Sequence, residues 1–163
     1  MKNAEQERQR RNLLTVETVE TMVDESLGRI DVLCIIGPTG SGKSWALNDW
    51  AKKNKTKVAY IDCQKVHLGE HAVMRYGPRT SDVEDDELMI KNTDAQVFVV
   101  DESQSKIDLV DKLFKQCNRA VNRLLILPLQ DLDQLAKFQI PIDQRRCYSV
   151  AGLPFKEQEK AII

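Results

Sequence analysis

The sequence is short of the features that mark a secreted, membrane-bound or disulfide-rich protein. Its four cysteines form no C-x-x-C pair, and Cys34 and Cys147 lie within apolar runs, which is typical of core thiols in a reducing compartment. No apolar run approaches the length that a bilayer-spanning helix needs. The first residues, MKNAEQERQRR, are too polar for a signal peptide. We therefore expect a cytoplasmic protein without a membrane span.

A strong net charge is also missing. The 163 residues carry a formal net charge of −1, which argues neither for nor against a nucleic-acid partner because a balanced total can hide a local patch. The sequence shows no internal repeats and no low-complexity linker. Hydrophobic residues make up 42% of the chain and charged residues 30%, as in a soluble globular protein, and the length predicts one domain.

The most specific pattern is a glycine-rich stretch that follows a short apolar run. Residues 32–36, VLCII, have the length of a buried strand. The next eight residues, GPTGSGKS, fit the phosphate-binding pattern G-x-x-x-x-G-K-[ST] and lead into a helical segment. Glycines let such a loop bend round a polyphosphate, while its amides and the helix N-terminus supply donors and partial positive charge. The alternative is a glycine-rich turn that matches the pattern by accident.

Each position of this loop has an expected role. Lys43 is expected to reach the β- and γ-phosphates of a nucleotide, and the Ser44 hydroxyl is expected to ligate Mg²⁺. The predicted nucleotide-binding residues are Gly37, Pro38, Thr39, Gly40, Ser41, Gly42, Lys43, Ser44 and Trp45. The sequence therefore predicts a site for ATP and Mg²⁺ at the end of the first strand.

Apolar runs of strand length alternate with amphipathic segments along the chain. Strands are predicted at 32–36, 58–63, 96–100, 124–127 and 146–151, and helices at 12–27, 45–51, 81–91, 106–122 and 131–138. Residues 64–80 are predicted to form a short helix and a loop, and a last helix is predicted to start at Phe155. Continuous apolar strands between helices indicate a parallel sheet that is covered on both faces.

The predicted fold class is α/β, a three-layer P-loop NTPase fold with a five-stranded, mainly parallel sheet flanked by helices. Residues 1–28 are predicted to contain an N-terminal amphipathic helix, and residues 29–163 the core, within a single domain overall. Ligands of such sheets bind at the carboxyl ends of the strands, where the other candidate residues also fall.

The third predicted strand ends on two acids, Asp101 and Glu102, which gives VFVVDE the form of a Walker B element. An aspartate at the tip of a buried strand can hold the Mg²⁺ water shell that Ser44 also serves. A second carboxylate beside it can polarise a water for in-line attack on a γ-phosphate, so Glu102 is the predicted general base. The alternative is that both acids only end the strand and cap the following helix.

Polar residues also lie near the fourth and fifth strands. Gln130 is either an ordinary loop glutamine or a residue that contacts the γ-phosphate or orients the attacking water. Arg145 and Arg146 are either a surface pair or contain an arginine finger, which a neighbouring subunit often supplies in phosphoryl transfer. His67 and His71 have no apparent third ligand, which favours loop histidines over a metal site.

Taken together, these motifs resemble the core ATPase domain of the AAA+ superfamily. GPTGSGKS is similar to its Walker A element, VFVVDES to its Walker B element, LLILPLQD to its sensor-1 strand, and IPIDQRRCYSVAGLPFKEQEKAII to its finger region with the start of the lid. The resemblance covers about residues 30 to 163 and its first two motifs are specific. The family more often has asparagine, threonine or serine at sensor 1, and only one lid-like helix fits after Phe155, so we expect the lid to be largely missing.

The resemblance implies an oligomeric Mg-dependent ATPase, and it gives each candidate residue a role. It implies Lys43 and Ser44 on phosphate and Mg²⁺, Asp101 on Mg²⁺ and Glu102 as the base. It also implies Gln130 as sensor 1 and Arg145 or Arg146 as the finger. Hydrolysis would be coupled to a macromolecular partner such as DNA or a DNA-processing protein, although no DNA-reading motif is visible.

Two other functions stay open at this point. A small-molecule kinase would need an arginine-rich lid, for which Arg119 and Arg123 are weak candidates. A non-hydrolysing switch or adaptor would bind ATP only to dock a partner. A GTPase is disfavoured because NKTK at 54–57 lacks the last aspartate of N-K-x-D, and Asp101 does not begin a D-x-x-G motif.

Overall fold

A computed structural model describes residues 14–54, 57–63 and 95–158 of the chain. At its centre lie the strands β1 (Val32–Ile36), β2 (Val58–Asp62), β3 (Val97–Asp101), β4 (Leu124–Leu129), β5 (Arg145–Ser149) and β6 (Pro154–Phe155). They form one sheet of six strands in the order β2-β3-β4-β1-β5-β6. All neighbouring pairs are parallel except β5 and β6, which are antiparallel. The predicted α/β class and the mainly parallel sheet are confirmed.

Helices flank this sheet in the described part of the chain. They are α1 (Val16–Ser26), α2 (Lys43–Lys53), α3 (Ile107–Gln116) and the single turn α4 (Leu132–Leu135). Helix α1 begins where the Thr15 side chain accepts a hydrogen bond from the Thr18 amide at 3.1 Å. Helix α3 ends earlier than its apolar period predicts, because the Asn118 side chain caps a separate 3₁₀ turn at 119–121.

Side chains alternate between the two faces of the sheet and build two hydrophobic clusters. Leu33 of β1 and Val99 of β3 pack with Leu47 of α2 on one face, where the apolar side of α1 also lies. Cys34 of β1 packs with Leu113 of α3 on the other face, which α4 also covers. Helices therefore cover both faces of the sheet, which gives the three layers that the sequence predicts.

The strand order decides which loops meet. Strand β1 lies between β4 and β5, and β4 separates β1 from β3. Because β1, β3 and β4 are parallel, the segments that follow them emerge side by side at one edge of the sheet, with the segment after β4 in the middle. Such an edge is the usual ligand site of an open parallel sheet.

Two predictions about the last described residues are wrong. The sheet has six strands rather than five, because Pro154 and Phe155 form a two-residue strand that is too short to show a sequence pattern. Phe155, which is predicted to start a helix, lies in this strand opposite Cys147. The chain reverses onto β5 through a turn in which Gly152 has a φ of 82° and the Ser149 amide donates to the Leu153 carbonyl at 2.9 Å.

Several predictions lie outside the described residues. They are the short helix and loop at 64–80, the acidic helix at 81–91 and the histidine pair His67 and His71. Among the residues that the structure does describe, no helix is both long and apolar enough to cross a membrane.

Candidate active site

The glycine-rich loop, residues 37–44, connects β1 to α2 at the ligand edge of the sheet. Gly40 and Gly42 have φ values of 86° and 85°, a left-handed conformation that other residues rarely adopt. Gly37 is confined instead by its neighbours, since a Cβ atom there would lie 2.4 Å from Cγ1 of the buried Val150. The glycine spacing therefore has a local steric reason at each of these positions.

Lys43 is the first residue of α2, and its side chain folds back over the loop. Its Nζ atom donates to the Gly37 carbonyl, to the Pro38 carbonyl at 3.0 Å and to Ser41 Oγ at 3.3 Å. Burial lowers the pKa of Lys43, while the nearby carboxylates of Asp101 and Glu102 oppose that shift. The lysine therefore brings its cationic group to the inside of the loop, close to both acids.

Asp101 ends β3 on the face of the sheet that α2 covers. The side chains of Val97 and Val99 lie on that face, and alternation along the strand places Asp101 there too. Asp101 is 8% exposed, and its carboxylate accepts two hydrogen bonds, from Tyr60 OH at 2.5 Å and from the Glu102 amide at 3.0 Å. A buried, oriented carboxylate thus lies at the mouth of the loop.

Glu102 turns the chain away from β3. Its φ of 55° is in the left-handed region, a conformation that costs a non-glycine residue about 1 kcal/mol or more and that is common at functional sites. Its Oε2 atom accepts a hydrogen bond from Gln104 Nε2 at 2.6 Å. The bend therefore ends the strand and holds the second acid beside Asp101.

Gln130 follows β4 and bridges two segments. Its side-chain amide donates to Thr39 Oγ1 at 2.6 Å, and its backbone amide donates to Gln134 Oε1 at 2.8 Å. Of the two interpretations of Gln130, an ordinary loop glutamine or a residue that acts on a nucleotide, the structure decides neither, but it places Gln130 against the glycine-rich loop.

These residues share one cleft of about 260 Å³. Nine of the predicted site residues line it: Thr39, Gly40, Gly42, Lys43, Ser44, Trp45, Asp101, Glu102 and Gln130. Gly37, Pro38 and Ser41 do not line the cleft but accept hydrogen bonds from Lys43 Nζ. The cleft therefore combines glycine-rich backbone, one cation, two hydroxyls and two carboxylates.

Arg145 and Arg146 do not lie in this cleft. Arg145 is opposite Val32, at the start of β1, so both arginines are at the other end of the sheet from the loop. Arg145 donates to both Glu157 carboxylate oxygens, at 2.9 and 2.5 Å, and to the Ile140 carbonyl at 2.8 Å. Hydrogen bonding to Glu157 raises the pKa of Arg145. Arg146 is exposed, so it is the arginine of the pair that can reach another molecule.

Three cleft contacts have no signal in the sequence pattern. Gln104 and Gln134 lie in short turns and contact Glu102 and Gln130 through side-chain amides. Tyr60 is the one phenol in the apolar strand β2, and only the neighbouring β3 shows what its hydroxyl contacts. The sequence offers one hint of this contact, because the hydroxyl of a tyrosine in an apolar strand usually has a hydrogen-bond partner.

The sequence matches no protein-family model and no curated protein.

Proposed function

We propose that the chain is a Mg-dependent ATPase of the cytoplasm that works as an oligomer and couples hydrolysis to a macromolecular partner such as DNA. One observation carries the proposal: Lys43 and the two acids Asp101 and Glu102, which are far apart in sequence, line the same cleft beside the glycine-rich loop. A glycine-rich turn that matches the phosphate-binding pattern by accident would not need two carboxylates and a lysine beside it.

The loop supplies what a triphosphate needs. Its backbone amides and the N-terminus of α2 favour negative charge, and Lys43 adds a full positive charge. The Lys43 ammonium group donates to two loop carbonyls, and a phosphate oxygen could accept these hydrogen bonds in their place. The glycines at positions 40 and 42 keep the approach to the amides free of side chains.

The oxygen atoms in the cleft fit Mg²⁺. Ser44 offers a hydroxyl and Asp101 a carboxylate in the same cleft, and hard oxygen ligands of this kind are those that Mg²⁺ takes in phosphoryl-transfer sites. A bound Mg²⁺ would neutralise charge on the transferred phosphoryl group. Asp101 is fixed in place for this role by its two hydrogen bonds.

Glu102 is the group that can take a proton. Its carboxylate lines the cleft beside Asp101, and a base at this position can accept a proton from a water that attacks the γ-phosphate. Gln130, held against Thr39, can orient that water or contact the phosphate. Arg146, exposed at the far end of the sheet, would complete the site of a neighbouring subunit.

The test is ATP turnover by the purified full chain with Mg²⁺, measured over a range of protein concentrations with and without DNA. Lys43→Ala and Glu102→Gln should each lower turnover at least about 100-fold, as loss of a base or of phosphate binding does. Lys53→Ala is the matched control, because Lys53 is 63% exposed in a surface pair with Asp49. Unchanged turnover in both cleft variants would refute the proposal, whereas specific activity that rises with concentration would support the oligomer.

One contact favours a second function, the non-hydrolysing switch. Glu102 Oε2 accepts a hydrogen bond from Gln104 Nε2 at 2.6 Å. This contact restricts the rotation of the Glu102 side chain and occupies an oxygen that the proposed base would use to accept a proton. If this contact persists with nucleotide bound, the protein would bind ATP and dock a partner without turnover. ATP binding by the wild-type chain, with no phosphate release in the presence of DNA, would select this function.

A further inference from the structure

The buried hydroxyl of Tyr60 lies next to the proposed Mg²⁺ ligand. Tyr60 is in the middle of β2, opposite Val99 of β3, and it is 2% exposed. Asp101 follows Val99 by two residues and therefore lies on the same face of the sheet. The Tyr60 hydroxyl reaches along this face and donates to Asp101 Oδ2 at 2.5 Å.

This hydrogen bond fixes the orientation of the Asp101 carboxylate. The second oxygen, Oδ1, accepts from the Glu102 amide at 3.0 Å, so each oxygen has one donor. A carboxylate has about four acceptor positions, so these two bonds leave room for a metal ion or its water shell. Both donors are neutral, and they orient the carboxylate without cancelling the negative charge that attracts a cation.

We propose that Tyr60 is a positioning residue that sets the Mg²⁺ dependence of nucleotide binding by holding Asp101 in one rotamer. The inference rests on the proposed function, since it concerns the same cleft. Partners that orient a metal ligand are typically worth about 10- to 100-fold in metal affinity. Tyr60→Phe removes only the hydroxyl and keeps the ring that packs in the core.

The experiment compares the affinity for ATPγS in saturating Mg²⁺ with the affinity in EDTA, by calorimetry on the full chain. Tyr60→Phe should lower the ratio of these affinities about 10-fold or more and leave the affinity in EDTA within about twofold of wild type. In an Asp101→Asn background the same substitution should have no further effect on the ratio, because Tyr60 acts through that carboxylate.

Tyr148→Phe is the matched control. Tyr148 is 1% exposed, and its hydroxyl donates to a carboxylate oxygen of the exposed Glu25 at 3.0 Å and accepts from Arg146 Nη1 at 3.4 Å, so its contacts are partly buried and lie away from the cleft. Like Tyr60→Phe, this variant removes one hydroxyl from a buried ring, and it should keep the wild-type affinity ratio.

Each alternative result is decisive. A wild-type ratio near one would refute the proposed Mg-dependent function itself. A clear wild-type ratio that Tyr60→Phe retains would refute the role of Tyr60 and leave the proposed function standing. A Tyr60→Phe chain that fails to fold where Tyr148→Phe folds, or an equal loss of the ratio in both variants, would assign the hydroxyl to the fold and also overturn the inference.

Discussion

Replacing Arg145 by alanine should destabilise the fold, whereas replacing the adjacent Arg146 should not. Arg145 is 9% exposed, and its loss would leave the Glu157 carboxylate, 21% exposed, without its partner. Breaking a fully buried pair costs about 3 to 5 kcal/mol, and the partial exposure of Glu157 lowers this to about 2 to 3 kcal/mol. For a chain of this size the midpoint of thermal unfolding should fall by roughly 4 to 12 °C.

The assay is urea unfolding of the wild type and of Arg145→Ala, Arg146→Ala and Glu157→Gln. Arg146 is exposed, so its variant should stay within about 0.5 kcal/mol of wild type. Arg145→Ala and Glu157→Gln should be less than additive when combined, because they break the same contact. An Arg145→Ala chain as stable as wild type would refute the reasoning.

The same variants test which of the two arginines acts as the arginine finger of a neighbouring subunit. If Arg146 acts on the nucleotide of a neighbouring subunit, Arg146→Ala should keep its stability and lose about 1,000-fold in turnover. A stable Arg145→Ala chain that loses turnover, with Arg146→Ala fully active, would assign the role to the other arginine.

Three further predictions concern the loop and the core. Gly37→Ala should cost about 1 to 3 kcal/mol in stability and weaken ATPγS binding, because the new Cβ would lie 2.4 Å from Val150 Cγ1; calorimetry that shows wild-type affinity would contradict this. Burial raises the pKa of Cys117 from 9.0 to about 12, so the folded state favours the thiol, and the free energy of unfolding should fall by up to about 1.4 kcal/mol per pH unit between these values. Urea unfolding from pH 8 to 11 checks this, and Cys117→Ala should show a shallower fall. Gln130→Leu removes the 2.6 Å contact with Thr39 Oγ1 and should lower turnover more than ATPγS affinity; an equal loss in both would make Gln130 a binding residue only.

The sequence predicts the elements that have a strong local signal. Residues 32–36 and 97–100 are continuous apolar runs, and the glycines between β1 and α2 have the spacing of a phosphate loop. Because parallel strands bring their carboxyl ends to one edge, the pattern predicts that Lys43 and Asp101, which follow or end such strands, lie at the same edge of the sheet. These parts follow from local pattern and one topological rule.

The remaining contacts depend on which strands are neighbours, and the pattern does not contain that information. Tyr60 touches Asp101 only because β2 pairs with β3, in a register that the apolar alternation leaves open. The pairing of Arg145 with Glu157 depends on the turn that folds β6 back onto β5. A surface pair and a buried ion pair look the same in sequence, because burial is a property of the assembled fold.

Helix α1 gives the amino-terminal part of the chain a mechanical link to the glycine-rich loop. The amide of Leu14, a residue 1% exposed, donates to the Ser41 carbonyl at 3.4 Å. Further along the helix, Glu25 accepts from the Tyr148 hydroxyl of β5 at 3.0 Å, so the helix is anchored to the sheet beyond the loop. A pull on the residues ahead of α1, from a surface tether or a docked protein, would therefore act on the loop before it unfolds the helix. In a single-molecule trap, tension applied there should shorten the time that a nucleotide stays bound, whereas the same tension applied at the exposed Val121, in the turn before β4 at the opposite end of the sheet, should not.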